Sequence, residues 1–340
     1  MDSEVIDMHI HFGAPKDEES GCYWSKEFEK TAAYYAMLLM TKSLFKKVDI
    51  QRVKNHLLNK INGSKYVQKG VFLAMDQVYD ESGTLQPRRT HLHVPNQYLA
   101  NLVKENERVL FGASVHPYRN DWEEELDFCL NNKAVLCKWI PSSQMINPEH
   151  TRCTPFYQKL AAHKLPLLCH CGPEYTIPTS DKTYNKFNNP KYLRKALEQG
   201  VSVIVAHCAL PYFYLLDKPS YYDDWRDFLK LVQESEIKGW HLYADLSAIS
   251  GPLRLPFIDD IIKNVPAKRL LFGSDYPVPL SGLSYHKPTS VLAWLKFISK
   301  IISIKNPLDK NYEIISGMGF DQQVFTNASQ LFSSIRFPIA

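Results

Sequence analysis

No stretch of this 340-residue sequence is apolar over the length that a bilayer demands. The most apolar runs, Tyr34–Met40 and Val201–Ala206, fall far short of the roughly 20 residues in a spanning helix. No secretion signal is expected from the opening residues either. Acidic Asp2 and Glu4 sit where positive charge belongs, and no apolar segment of about 7–15 residues follows them. Cysteine is scarce and odd in number, seven in all, which argues against a disulfide framework. Free buried thiols in a reducing, cytoplasmic setting are the expectation. Charge of one sign is not in excess: 40 Lys and Arg against 36 Asp and Glu leave +4. That is too little to point to nucleic acid or an anionic membrane as a partner. A Gly-x-Ser-x-Gly elbow, a phosphate loop and a dinucleotide fingerprint are all absent. Serine-nucleophile, nucleotide and hydride-transfer chemistry therefore have no support.

What the sequence holds instead is an alternation of two patterns. Short aliphatic or β-branched runs occur at Val5–Ile10, Val71–Met75, Val109–Val115, Val135–Ile140, Leu165–Cys169, Val201–Ala206, Leu242–Ser247 and Leu270–Gly273. Between them lie amphipathic stretches, among them Trp122–Asn131, Phe156–His163, Tyr192–Gln199, Asp224–Ser235 and Phe257–Asn264. Continuous apolar runs suit parallel strands buried on both faces. Eight strand–helix units predict a (β/α)8 TIM barrel, and Gly200 before the sixth run suits a helix C-cap. With no linker in view, residues 1–340 form one expected domain. The excess over the ~250 residues of a plain barrel falls in long insertions after strands 1 and 2, at 13–69 and 76–108, and in C-terminal capping helices. Those closing helices are expected over Ser290–Ile302 and Phe320–Phe332, and the lysine-rich 42–69 part reads as a solvated helix face. The early insertions are where substrate choice is expected.

The polar residues that close these runs carry the chemistry. His9 and His11 end the first run, His116 the third, Lys138 and Trp139 the fourth, His170 the fifth, His207 the sixth and Asp275 the eighth. The two-residue period of a strand turns His9 and His11 to one face, and the barrel's active site lies at that end. Two imidazoles, a third from strand five and a carboxylate from strand eight could surround one divalent ion. Zn2+ fits such donors first, with Mn2+, Fe2+ and Co2+ as alternatives. By contrast His91-Leu92-His93 lies in a Pro-flanked loop with no strand before it and reads as structural or at most substrate-facing. Cys169 and Cys171 face away from His170 by strand alternation, so they read as buried small hydrophobes rather than ligands.

The segments Ile6-Asp7-Met8-His9-Ile10-His11-Phe12-Gly13, Pro166–Gly172, Val203–Cys208 and Leu271–Pro277 together resemble the amidohydrolase superfamily. They are most similar to its amidohydrolase-related branch, which includes aminocarboxymuconate-semialdehyde decarboxylase. The closing Phe325–Phe332 is similar to that branch's terminal helix. The resemblance implies a distorted (β/α)8 barrel whose ion is held by His9, His11, His170 and Asp275. It implies that His207 orients or deprotonates a metal-activated water, or binds a second ion, and that Asp275 passes a proton to the leaving group. Lys138 falls where two-metal members carry a bridging carboxylated lysine. An unmodified active-site lysine, a contact to a substrate carboxylate and a structural ion pair are the other readings. His116, Trp139 and Tyr276 are the substrate-contact candidates, with Ser247 near enough in order to line the pocket.

The leading expectation is a metal-dependent hydrolase that cleaves a C–N, ester or lactone bond of a small molecule. The alternative is a non-oxidative decarboxylase of a carboxylated aromatic or unsaturated acid. For either, Arg88, Arg89, Arg119, Arg152 and Arg254 are candidate cations for a substrate carboxylate. A barrel that binds without catalysis would be favoured by a missing ligand, and none is missing. Members of the resembling branch are often dimers, so a homodimer is one assembly the resemblance allows, and the sequence leaves the oligomeric state open.

Overall fold

Each of the eight apolar runs contributes one strand to a parallel sheet. The computed structural model describes residues 4–41, 43, 48–211, 221–278 and 290–338. In chain order the strands are β1 (Ile6–His11), β2 (Tyr23–Trp24), β3 (Lys69–Leu73), β4 (Leu92–His93), β5 (Val109–Ala113), β6 (Leu136–Trp139), β7 (Leu167–Cys169), β8 (Val203–Val205), β9 (Leu242–Asp245) and β10 (Leu270–Leu271). The sheet runs β1-β3-β5-β6-β7-β8-β9-β10, and β2 pairs with β4 in a separate antiparallel ribbon. The barrel closes where the last strand returns to the first. Met8 N–H donates to Phe272 O at 3.1 Å, Asp275 N–H to His9 O at 2.8 Å and His11 N–H to Tyr276 O at 2.8 Å. The architecture is a TIM barrel. β1 carries a register shift against β3 between Asp7 and Ile10, a bulge beside His9 of the kind that re-aims side chains near active sites.

Burial on both faces explains why these strands read as unbroken apolar runs. Met8, Val71, Ala113, Leu136, Leu168, Val203, Ile204, Ala244 and Leu271 are all fully enclosed. The amphipathic stretches pack outside them. Trp122–Asn131 is a helix over those bounds, and Cys153–His163 begins three residues before the pattern suggested. Gly200, at φ +83°, ends the helix before β8 as its sequence position required. The last capping stretch is broken rather than continuous. Asp321 accepts from Gln323 N–H and starts a 3₁₀ turn, Gln322–Phe325, before the helix Asn327–Ser333.

The first insertion forms two helices, Ala32–Met40 capped by Thr31 and Ile50–Asn62 capped by Asp49. Part of the lysine-rich run, residues 42 and 44–47, lies outside the described residues. Its described remainder is amphipathic rather than merely solvated: Ile50, Val53, Leu57 and Ile61 are buried. All seven cysteines are free and buried. Among the described residues no helix is long and apolar enough to cross a membrane.

Candidate active site

The strand-end residues meet at the C-terminal mouth of the barrel. His9 is fully buried, and its Nδ1 lies 2.7 Å from Asp245 Oδ2. A carboxylate accepts, so His9 donates from Nδ1 and keeps a bare lone pair on Nε2. That Nε2 is 3.1 Å from His11 Nε2, 3.3 Å from Lys138 Nζ and 3.4 Å from Asp275 Oδ1. His11 Nε2 is in turn 3.0 Å from Asp275 Oδ1. One ligand atom from each of His9, His11 and Asp275 falls within 4.8 Å of the others, as a single ion requires.

His170 and His207 stand on adjoining strand ends with ring centroids 5.3 Å apart. His207 Nε2 lies 3.9 Å from Asp275 Oδ2. His170 stands outside the tight three-residue group, because its Nε2 turns toward Glu174 Oε2 at 3.3 Å. Two buried atoms here lack an aligned hydrogen bond: Asp275 Oδ1 and His170 Nε2. Unpartnered lone pairs of this kind are unfavourable in a dry site unless something else takes them. The donor set of two or three imidazoles and a carboxylate fits a divalent ion.

Electrostatics point the same way. Burial, reinforced by the Lys138 ammonium, pushes His9 down to about 4. Burial likewise lowers His170 and His207, so the imidazoles are neutral and able to ligate. Burial alone would raise Asp275, but the imidazoles of His207, His9 and His11 hold it well below the carboxylate range. Burial also pushes Lys138 down, with Asp245 and Asp275 opposing that shift.

A cavity of about 380 Å³ opens over this group. Its floor includes His11, His170, His207, Asp275, Glu174 and Arg254. Its walls are mostly apolar, with Phe28, Ala36, Met37, Val53 and Leu57 supplied by the first insertion. The second insertion contributes Leu92, from a two-residue strand where the sequence suggested only loop.

Three of the substrate-contact candidates, Trp139, His116 and Tyr276, do not line this cavity. Trp139 points outward between β6 and the helix Cys153–His163, where it stacks on Phe156 and donates from Nε1 to Val115 O. His116 is buried away from the cavity; its Nε2 is 2.8 Å from Gln144 O, and its Nδ1 accepts from Tyr118 N–H. Tyr276 is also behind the wall, its hydroxyl 2.6 Å from His56 Nε2. Strand alternation is the reason for Trp139: Lys138 faces in, so its neighbour must face out. Of the five arginines only Arg254 lines the cavity. Arg119 is spent on Asp76, Asp121 and Glu125, and Arg152 on Tyr118 O. Arg88 and Arg89 sit on an exposed 3₁₀ turn. Sequence reasoning missed Asp245 and Glu174. Asp245 ends β9 as His170 and Asp275 follow their strands, so the same rule would have found it. Glu174 sits in a loop and gave no periodic signal.

The sequence pattern of the Amidohydrolase family matches residues 6–291. The chain belongs to this family. Among curated proteins none matches the sequence. Solved structures with the same fold include 2,6-dihydroxybenzoate decarboxylase complexed with 2,6-dihydroxybenzoate, at 15% identity and TM-score 0.58, covering 97% of this chain and 99% of that one. A Pseudomonas putida protein provisionally described as a 2-pyrone-4,6-dicarboxylic acid hydrolase is similar at 13% identity and TM-score 0.56, with 98% and 99% covered. An uncharacterized TIM-barrel protein from Bordetella bronchiseptica gives 13% identity and 0.54, with 96% and 99% covered. At these identities the likeness is one of fold. The names of these neighbours include both a hydrolase and a decarboxylase.

Proposed function

We propose that the chain is a metal-dependent hydrolase that cleaves a C–N, ester or lactone bond of a small, largely apolar molecule. The observation that carries this reading is the convergence of His9, His11 and Asp275 beneath the cavity, with the neutral ring of His207 beside them. Those three residues would hold the ion, with His170 as a fourth donor and Zn2+ the first candidate. When bound, such an ion supplies Lewis acidity and makes water nucleophilic near neutral pH.

The chain's own groups do the rest. His207 takes the proton from the attacking water at Nε2, the nitrogen nearer Asp275. Asp275 Oδ2, 3.9 Å away, can receive that proton and deliver it to the leaving group. The apolar walls exclude bulk water and strengthen every charge interaction on the floor. Lys138, 3.3 Å from His9 Nε2, adds positive charge there as an unmodified ammonium; a carboxylated Lys138 with a second ion is the alternative.

A decarboxylase of a carboxylated aromatic or unsaturated acid is the second reading, favoured by Arg254 on the cavity floor. One experiment tests both. Purified protein is assayed for bound metal, then offered amide, ester, lactone and aryl-carboxylate panels with and without chelator. About one metal per chain and chelator-sensitive hydrolysis is the expected result. Carbon dioxide release would favour the second reading, and metal-free protein indifferent to chelator would overturn the proposal.

A further inference from the structure

Asp245 and Ser247, which the proposed chemistry has not used, connect two of its histidines. Asp245 Oδ1 accepts two backbone N–H groups, from His207 at 2.8 Å and from Ser247 at 3.1 Å. Backbone amides are donors without ambiguity, so Oδ1 carries no proton. The Ser247 hydroxyl also contacts Oδ1, and its single hydrogen must therefore be donated there. Its oxygen is left with two lone pairs and two close neighbours: His207 Nδ1 at 2.7 Å and His9 Nδ1 at 3.1 Å. Neither ring nitrogen can receive a proton from a hydroxyl that has already given its own. Both rings must then carry hydrogen on Nδ1. The main-chain carbonyl of Ser247, 3.2 Å from His207 Nδ1, can only accept and gives the same answer independently. Asp245 Oδ2, 2.7 Å from His9 Nδ1, completes the count for His9.

The backbone gives a second sign that this corner is built for a purpose. His207, Cys208 and Ala209 have φ of +55°, +53° and +55°, three successive side-chain-bearing residues in the left-handed region. The His207 N–H to Asp245 bond spans that turn and fixes where the ring departs from the backbone.

We propose that Asp245 and Ser247 are a positioning pair that locks His9 and His207 together as Nδ1–H tautomers, leaving both Nε2 atoms as bare lone pairs at the site. One carboxylate thereby sets the ligand nitrogen and the base nitrogen at once. The inference rests on the roles given to His9 and His207 above, but its test needs neither substrate nor turnover.

The test is a two-bond ¹H–¹⁵N correlation spectrum of the full chain labelled with ¹⁵N-histidine, metal-free, with H9N and H207N variants to identify the peaks. Both rings are expected as Nδ1–H tautomers. An Nε2–H pattern for either ring in the unmutated protein overturns the proposal. In D245N the amide oxygen stays on the two backbone N–H groups, so the NH2 faces His9 and forces its proton to Nε2. His9 alone should switch tautomer, and Zn2+ affinity, read by competition with a chelating dye, should fall about 10–100-fold. In S247A only the longer bond to the main-chain carbonyl of residue 247 is left to hold the proton, so the Nδ1–H population of His207 should fall while His9 keeps its own tautomer. An unchanged His9 in D245N, or an unchanged His207 in S247A, would remove that residue from the pair. Should D245N fail to fold, the spectrum of the unmutated protein decides. Loss of the proposed hydrolase reading, by contrast, would appear as absent metal or turnover with these tautomers intact.

Discussion

His11 Nε2 stands 3.0 Å from Asp275 Oδ1, a contact that joins the first strand of the barrel to the loop after the last. Asp275 is the anionic donor of the three-residue group, and the imidazoles around it hold it ionised. Replacing it with Asn removes the charge and preserves the shape. Asp275→Asn should therefore weaken Zn2+ binding by more than the roughly 10–100-fold that loss of a supporting partner costs. Metal content by elemental analysis after dialysis measures this; full retention of metal would exclude Asp275 as a ligand.

His207 should behave differently. It is proposed as a base rather than a ligand, so removing its ring should leave the ion in place. Asn is the suitable replacement because it tolerates the left-handed backbone that His207 adopts at φ +55°. His207→Asn is expected to keep about one metal per chain while turnover falls roughly 10²–10⁴-fold. Parallel metal analysis and kinetics on a substrate from the panel check this. Loss of metal would make His207 a ligand instead.

Much of this arrangement could be read from the sequence because dry parallel strands and polar strand ends contrast so sharply. The runs around Val109, Val203 and Leu270 are buried on both faces, so hydrophobicity alone marked them. His9, His11, His170, His207 and Asp275 then stood out as the polar residues that follow. What strand ends cannot report is which way a residue faces after the strand has ended. Lys138 turns in and Trp139 out, and His116 lies past β5 with its ring committed to backbone groups. The cavity wall was less legible still. Ala33, Ala36 and Met37 face the cavity from a helix that is apolar nearly all round, so no periodicity showed which side was buried.

His116 gives a stability prediction rather than a catalytic one. Burial pushes its pKa down to about 3, against roughly 6.5 when unfolded. The geometry agrees: Nδ1 accepts from Tyr118 N–H, so a proton arriving there would face another donor. The unfolded chain binds more protons between these values, and stability falls as pH drops through that window. The contribution is fully present above about pH 6.5 and declines below it, by about 2 kcal/mol at pH 5. Other buried histidines add to the same trend, so the comparison must be made against a variant. His116→Gln can still donate to Gln144 O but cannot titrate. Urea melts of both proteins at pH 7 and pH 5 should show a smaller acid loss in the variant; equal losses would mean that His116 does not titrate as described.

Gly273 links the closing of the barrel to the site. A Cβ built on it would lie 3.0 Å from His9 Cβ and 3.3 Å from Ser247 Cβ. The strand therefore passes its neighbours at a distance that only glycine permits without displacement. Gly273→Ala would push His9 and Ser247 outward by a few tenths of an ångström, at an overpacking cost of about 1–3 kcal/mol. Because His9 is both a proposed ligand and bonded to Asp245, the same shift should also weaken Zn2+ binding. Gly112, where a Cβ would meet Leu73 Cδ2 at 2.6 Å and Val71 Cγ1 at 2.9 Å, supplies the control. Gly112→Ala crowds the barrel among apolar side chains of β3. It should lower the urea midpoint without a matching loss of metal in the protein that remains folded. If both variants lost stability and metal affinity in the same proportion, the link from Gly273 to His9 would be no more than general loosening of the barrel.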